Sequence, residues 1–76
     1  MINDFGVVKI HLCELLEKSG MSKNKFCNLA QMQRSQVKNY SNNTVSRIDL
    51  ETIARICAVL KCDITDLLEY IPPENK

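Results

Sequence analysis

The sequence predicts a small all-α domain of five short helices, with one candidate edge strand near its start. Apolar residues recur at the spacing of one helical face in successive segments of the chain. Three of these segments are preceded by residues that favour helix starts, Ser22, Asp49 and Asp63, and Gly20 supplies a stop after the first. A chain of 76 residues, 45% of them hydrophobic, has material for one core but not for a second lobe.

The candidate strand and the first helix occupy the start of the chain. Val7–Ile10 is short, β-branched and preceded by Gly6, which favours a strand. From about His11 the apolar spacing becomes helical, and Gly20 marks the end of the first helix. The inward face of that helix is predicted to contain Leu12, Leu15 and Leu16.

The second helix is predicted to start after Ser22, with Met21 and Phe26 at the positions of a hydrophobic staple. It stops near Gln31. Its predicted inward residues are Phe26, Cys27, Leu29 and Ala30, and its outward residues are Lys23, Asn24, Lys25 and Asn28.

The third helix has a narrow apolar stripe. Met32 and Val37 repeat the staple spacing around Gln33 as the N-cap, and Gln36 falls at the reciprocal position of a capping box. Val37 and Tyr40 form the predicted buried edge. The other side chains are polar: Arg34, Ser35, Gln36, Lys38, Asn39, Ser41 and Asn42. A helix that buries so little against its own protein is typical of one that completes its contacts on another molecule.

The last two helices complete the predicted core. Asp49 caps the fourth helix, and Asp63 caps the fifth with Asp66 at its third position, where an acid suits the positive helix start. Their inward residues are Leu50, Ile53, Ile56, Cys57 and Leu60 in the fourth helix, and Leu67, Leu68 and Ile71 in the fifth. The chain is thus predicted to be one domain over 1–76, with a leader at 1–6, a folded core at 7–71 and a tail at 72–76.

The formal charges are strongly segregated along the chain, although they sum to only +1. Residues 18–47 carry six basic and no acidic side chains, whereas residues 1–17 carry a net −2 and residues 48–76 a net −3. A nearly neutral protein with one concentrated basic segment is expected to bind a polyanion through that segment.

The residue types present do not indicate an enzyme, a metal centre or a cofactor. The single histidine and the lack of a Gly-rich phosphate loop leave too few groups for catalysis. The four cysteines, Cys13, Cys27, Cys57 and Cys62, contain no Cys-x-x-Cys pair and are interpreted as small, mostly buried thiols of a reducing compartment. A redox or metal switch that joins Cys57 to Cys62 is the alternative.

The location expected from the sequence is cytoplasmic. No apolar run approaches the roughly 20 residues that a membrane span needs. The N-terminal stretch contains Asp4 where a secretion signal has positive charge. A membrane is therefore not expected as a partner. The sequence also shows no feature that indicates a small-molecule ligand.

Residues from about 10 to 71, roughly four-fifths of the chain, resemble the lambda-repressor-like XRE/Cro family of helix-turn-helix DNA-binding domains, in its compact single-domain branch. The matching stretches are Leu15-Leu16-Glu17-Lys18, Met21-Ser22, Val37, Tyr40, Asn42, Arg47-Ile48-Asp49-Leu50, Ile56-Cys57 and Asp66-Leu67-Leu68-Glu69-Tyr70. The chain departs from the family at three positions. Gln31 stands where a Gly usually adopts positive φ in the turn, unless the second helix runs longer here. Cys27 replaces an Ala, and Gln33 replaces a Ser or Thr cap.

The resemblance implies a sequence-specific transcriptional regulator, a repressor, that binds double-stranded DNA and reads the major groove with its third helix, at about 33–42. The implied base-reading residues are Gln33, Arg34, Ser35, Gln36, Lys38 and Asn39. The implied phosphate-binding residues are Ser22, Lys23 and Asn24 at the start of the second helix, and Asn42, Asn43, Thr44 and Arg47 after the third. Arg34 suits guanine, and Gln36 or Gln33 suits adenine.

Several alternatives remain open from the sequence alone. Ser22 would cap its helix whether or not DNA is bound, and Asn42 and Asn43 are ordinary turn residues. The same scaffold could instead serve as a protein-interaction module, such as an antitoxin- or inhibitor-like adaptor. The resemblance also implies a homodimer, with the Val7–Ile10 strand and the end formed by Leu68, Tyr70 and Ile71 as its two candidate surfaces.

Overall fold

The computed structural model describes residues 5–73, which form five helices and one two-stranded antiparallel sheet. In chain order the elements are β1 (Val7–Ile10), α1 (Leu12–Ser19), α2 (Lys23–Ala30), α3 (Arg34–Ser41), α4 (Leu50–Leu60), α5 (Ile64–Leu67) and β2 (Leu68–Ile71). The prediction of a five-helix domain with an N-terminal edge strand is confirmed. Of the predicted leader and tail, residues 1–4 and 74–76 lie outside the described part of the chain.

A second strand replaces the end of the predicted fifth helix. That helix stops at Leu67, and β2 then pairs with β1 in a register that places Ile10 opposite Leu68. The N–H of His11 donates to the carbonyl of Leu67 at 2.7 Å, which extends the pairing beyond the strands themselves. A four-residue apolar segment has too little periodicity to distinguish helix from strand, so its tertiary partner decides the outcome.

The core lies where four helices meet. The largest fully buried side chains are Leu12 of α1, Phe26 of α2, Ile56 of α4 and Leu67 of α5. Helix α3 contributes only Val37 and Tyr40 to this core. The other buried apolar residues are Ile10, Leu16, Cys27, Ala30, Met32 and Ile53. Helix α3 is therefore held along one edge and leaves the rest of its surface to solvent.

Three residues predicted to face inward are exposed, so those predictions were wrong. Leu29 is 52% exposed, Leu50 is 78% exposed, and Ile71, which lies in β2, is 38% exposed. On a helix of 3.6 residues per turn, Leu29 lies roughly 60° around α2 from Phe26, on the side away from the buried Ala30 and Cys27. In α4 the corresponding inward position of the first turn is taken by Thr52, which is buried and donates a hydrogen bond to Asp49 Oδ2 at 3.3 Å.

Helices α1, α2 and α4 each end in a residue with left-handed backbone. These residues are Gly20 with φ 74°, Gln31 with φ 55° and Lys61 with φ 54°. Helix α2 does not run on past the turn, so Gln31 adopts the positive φ at which the family usually has glycine. A non-glycine residue pays roughly 1 kcal/mol or more for this conformation.

The predicted helix starts are observed at the expected residues. Ser22 Oγ accepts a hydrogen bond from the N–H of Lys25 at 3.2 Å, and Gln36 Oε1 accepts one from the N–H of Gln33 at 3.1 Å. Asp66 caps α5 in the same reciprocal manner, through a 3.1 Å bond from the N–H of Asp63. None of the helices within residues 5–73 is long and apolar enough to cross a lipid bilayer.

Candidate nucleic-acid interface

Helix α3 presents a continuous polar face to solvent. All six predicted base-reading side chains are exposed: Gln33, Arg34, Ser35, Gln36, Lys38 and Asn39. On the opposite side, Val37 and Tyr40 are 2% and 5% exposed and anchor the helix to the core. Helix α2 and the turn at Gln31 hold the start of α3, with Met32 buried beneath it. This arrangement leaves one helix with its hydrogen-bonding groups directed away from the protein.

The cations of the basic segment are free of carboxylates. All six, Lys18, Lys23, Lys25, Arg34, Lys38 and Arg47, are exposed. Within residues 5–73, ion pairs join His11 to Glu14 and Glu69, and Arg55 to Glu51, so none involves this segment. Because no internal carboxylate neutralises the segment, its positive potential is available to an external anion.

The structure brings base-reading and phosphate-binding candidates together at the α2–α3 junction. Lys23, Arg34, Lys38 and Asn42 line a single open crevice. Lys23 belongs to the first turn of α2, where free N–H groups and the helix dipole favour an anion. Three cationic side chains, one from the start of α2 and two from α3, line this crevice and are suited to the phosphates that flank a groove.

Two of the predicted residues contact each other. The Nη1 group of Arg34 donates a hydrogen bond of 2.8 Å to Asn24 Oδ1, across the turn between α2 and α3. Arg34 was predicted to read a base and Asn24 to bind phosphate. The hydrogen bond instead joins the amide oxygen of Asn24 to Arg34, a contact that the sequence did not predict.

The capping bond of Gln36 bears on its predicted reading of adenine. A bidentate contact to adenine uses the amide oxygen as acceptor and the amide nitrogen as donor. In the free protein Gln36 Oε1 already accepts the N–H of Gln33. Because an amide oxygen has two lone pairs, Gln36 Oε1 keeps one acceptor site for a base while it holds this cap.

The loop after α3 divides into an inward and an outward part. Asn43 has φ 59°, and its amide faces the protein, where Oδ1 accepts the N–H of Ile10 at 2.6 Å and Nδ2 donates to the carbonyl of Ile10 at 3.1 Å. Thr44 donates its hydroxyl to the backbone and side-chain oxygens of Asn39, both at 3.3 Å. Arg47 is exposed and lines an open crevice that also contains Gln36 and Asn39.

Asn43 therefore differs from Asn42 and Arg47 as a candidate phosphate ligand. The amide oxygen of Asn43 and one of its two N–H donors are occupied in fastening β1, which leaves a single N–H donor for a phosphate. Asn42 and Arg47 remain exposed at the surface that α3 presents. The sequence offered only the turn preference of Asn-Asn, which does not tell a clamp from a phosphate ligand.

The paired strands form an apolar surface apart from the basic segment. Phe5, Val7, Val8, Tyr70 and Ile71 are all exposed. The register places Val8 opposite Tyr70 and Val7 opposite Ile71, so the two faces of the strand pair both carry apolar side chains. We call these five residues the ribbon patch.

Two comparisons with known proteins agree on the fold. A family-wide sequence model of Cro/C1-type helix-turn-helix DNA-binding domains matches residues 11–73. A crystal structure of the transcriptional regulator VanUg matches with a TM-score of 0.69 at 22% sequence identity, covering 95% of each chain. At this identity the likeness to VanUg shows the fold alone. No curated protein sequence gives a significant match.

Proposed function

Because this chain belongs to the Cro/C1-type helix-turn-helix DNA-binding domain family, we propose that it is a sequence-specific transcriptional regulator, a repressor, that reads the major groove with α3. The observation that carries the proposal is the exposed, entirely polar and acid-free face of α3. A major groove is wide enough for one α-helix, and its base edges present donor and acceptor pairs that match amide and guanidinium groups.

The residues divide between base reading and backbone contact. Arg34 is assigned to guanine, and Gln33, Ser35, Gln36, Lys38 and Asn39 supply the remaining contacts to base edges. Ser22 and Lys23, at the start of α2, are assigned to one phosphate, while Asn42, Thr44 and Arg47 are assigned to another. Asn43 is left out of this set because its amide binds Ile10.

We expect two copies of such a small domain to bind one operator as a homodimer. A single module makes few phosphate contacts, whereas a homodimer doubles them and reads half-sites about 34 Å apart. The ribbon patch supports this assembly because it leaves five large apolar side chains in water on a small protein.

The edge of strand β1 has fewer free backbone groups for pairing with a second copy than its faces have exposed apolar side chains. One edge of β1 is paired with β2, and on the other edge the backbone groups of Ile10 are bonded to Asn43. Contact through the side chains of the ribbon patch is therefore favoured over edge-to-edge strand pairing. Sedimentation of wild type and Val8→Asp tests this, since a monomer at high micromolar concentration in both proteins would contradict dimerisation.

A second candidate, a protein-interaction module on the same scaffold, is favoured by one observation, the ribbon patch itself. The two candidates differ in their response to salt. When the protein binds, salt cations that were condensed on the DNA phosphates are released, and this release becomes less favourable as the salt concentration rises. DNA binding by the basic segment should therefore weaken steeply as salt rises. Selection of duplexes from a random pool tests the first proposal directly: enrichment of a common sequence supports it, and recovery of unrelated sequences contradicts it.

A further inference from the structure

We propose that Asn24 is a positioning residue for Arg34, and not the phosphate ligand that its place at the start of α2 suggests. In this role Asn24 raises the preference for one base pair without touching DNA itself. The inference rests on the proposed function, since it concerns how α3 reads a base. It also assigns a task to a side chain outside the reading helix.

The geometry places a fixed acceptor beside a flexible donor. Asn24 is the second residue of α2, whose first turn is fixed by the bond from the N–H of Lys25 to Ser22 Oγ. Arg34 is the first residue of α3, on the far side of the turn. The 2.8 Å bond from its Nη1 to Asn24 Oδ1 spans that turn and holds the end of a long, exposed side chain.

The neutrality of Asn24 matters as much as its position. Residues 18–47 contain no carboxylate, and within residues 5–73 Arg34 belongs to no ion pair. A carboxylate at this point would orient Arg34 but would also cancel its charge and repel phosphates. An amide oxygen orients the guanidinium and leaves its positive charge intact for DNA.

The remaining donors of Arg34 have the arrangement that guanine requires. A guanidinium has five N–H donors in a planar fork. With one Nη1 donor bound to Asn24, the edge formed by Nε and Nη2 stays free, and two parallel N–H groups on one edge match O6 and N7 of guanine. Ordering such a side chain only on binding costs roughly 2- to 12-fold in affinity, a cost that the contact with Asn24 removes in advance.

The test compares Asn24→Ala with the matched control Asn28→Ala, which removes another exposed asparagine one turn later on α2. Affinities are measured for the duplex selected by the wild type and for the same duplex changed at the base pair where Arg34→Ala loses preference. We expect Asn24→Ala to lower the ratio of these affinities roughly 2- to 12-fold by weakening only the first complex. Asn28→Ala should leave both affinities unchanged.

Two further measurements separate positioning from phosphate binding. In an Arg34→Ala background, Asn24→Ala should have no additional effect on either duplex. Asn24→Ser keeps a hydroxyl that can donate to phosphate but ends one bond nearer the backbone, so it should behave like Asn24→Ala. Circular dichroism of each variant verifies that the helices are retained.

The inference is overturned if Asn24→Ala weakens both duplexes equally and does so again in the Arg34→Ala background, because that is the behaviour of a phosphate ligand. It is also overturned if the affinity ratio does not change. A different result marks failure of the proposed function: the wild type selects no common sequence, or Arg34→Ala leaves every base preference unaltered.

Discussion

Replacing Asn43 by glycine removes the side chain that fastens strand β1 to the loop after α3. The amide of Asn43 makes two hydrogen bonds with the backbone of Ile10, at 2.6 and 3.1 Å. Glycine adopts the positive φ of 59° without strain, so this variant removes the amide without adding the backbone strain that alanine would impose. The same bonds occupy the backbone groups of Ile10 on the outer edge of β1, and their loss exposes those groups.

The size of the effect follows from the burial of the partner. Ile10 is 5% exposed, so water has little access to replace the lost bonds. Two such bonds, at a net 0.5 to 1.5 kcal/mol each, predict a loss of about 1–3 kcal/mol in the free energy of unfolding. For a domain of this size that corresponds to a fall in Tm of roughly 4–24 °C. Asn43→Ala should lose about 1 kcal/mol more, because alanine is strained at positive φ.

Urea denaturation followed by circular dichroism measures this loss. The matched control is Asn42→Ala, which removes the neighbouring asparagine at a residue with φ −88° and should change stability by less than about 0.5 kcal/mol. If Asn43→Gly unfolds at the same urea concentration as the wild type, the clamp contributes nothing and the reasoning is refuted. If Asn42→Ala is as destabilising as Asn43→Gly, the effect belongs to the loop in general and not to the clamp.

Three other predictions follow from individual residues. Gln31→Gly should stabilise the protein by about 0.5–1 kcal/mol in the same assay, since glycine adopts φ 55° without strain, and destabilisation would contradict it. Arg47→Ala should weaken binding to all duplexes alike and reduce the slope of log affinity against log salt by about 1. An altered base preference would contradict the assignment of Arg47 to a phosphate. His11 hydrogen bonds to Glu69, and secondly to Glu14, raise the pKa of His11 above 6.5. This stabilisation is complete below pH 6.5 and is lost as pH rises through the raised pKa of His11. Urea titrations should therefore show a small decrease in the free energy of unfolding over that range, about 0.5 kcal/mol or less for an exposed pair. The decrease should be absent in His11→Gln.

The order of the helices could be predicted because their signals are local. Ser22, Gln36 and Asp66 occupy capping positions that depend only on sequence spacing, and each makes the expected bond. Gly20 and Gln31 end their helices as the turn pattern requires. Local signals of this kind do not depend on which surfaces meet in the folded protein.

Features that depend on tertiary partners were missed. Strand β2 exists because β1 lies beside it, and Leu50 is exposed because the first turn of α4 buries the side of Thr52 and Ile53 instead. The contacts of Asn24 with Arg34 and of Asn43 with Ile10 join residues ten and 33 positions apart. Side-chain chemistry identified the polar members of the candidate site, but it could not tell which of them bind one another.

The assignment of α3 as the reading helix is tested most directly by the base preference of Arg34→Gln at each position of the selected duplex. A glutamine amide matches adenine, whereas a guanidinium matches guanine. We predict that the variant exchanges a guanine preference for an adenine preference at one base pair per half-site and keeps the others. The same preference at every position in both proteins would contradict the assignment of Arg34 to a base.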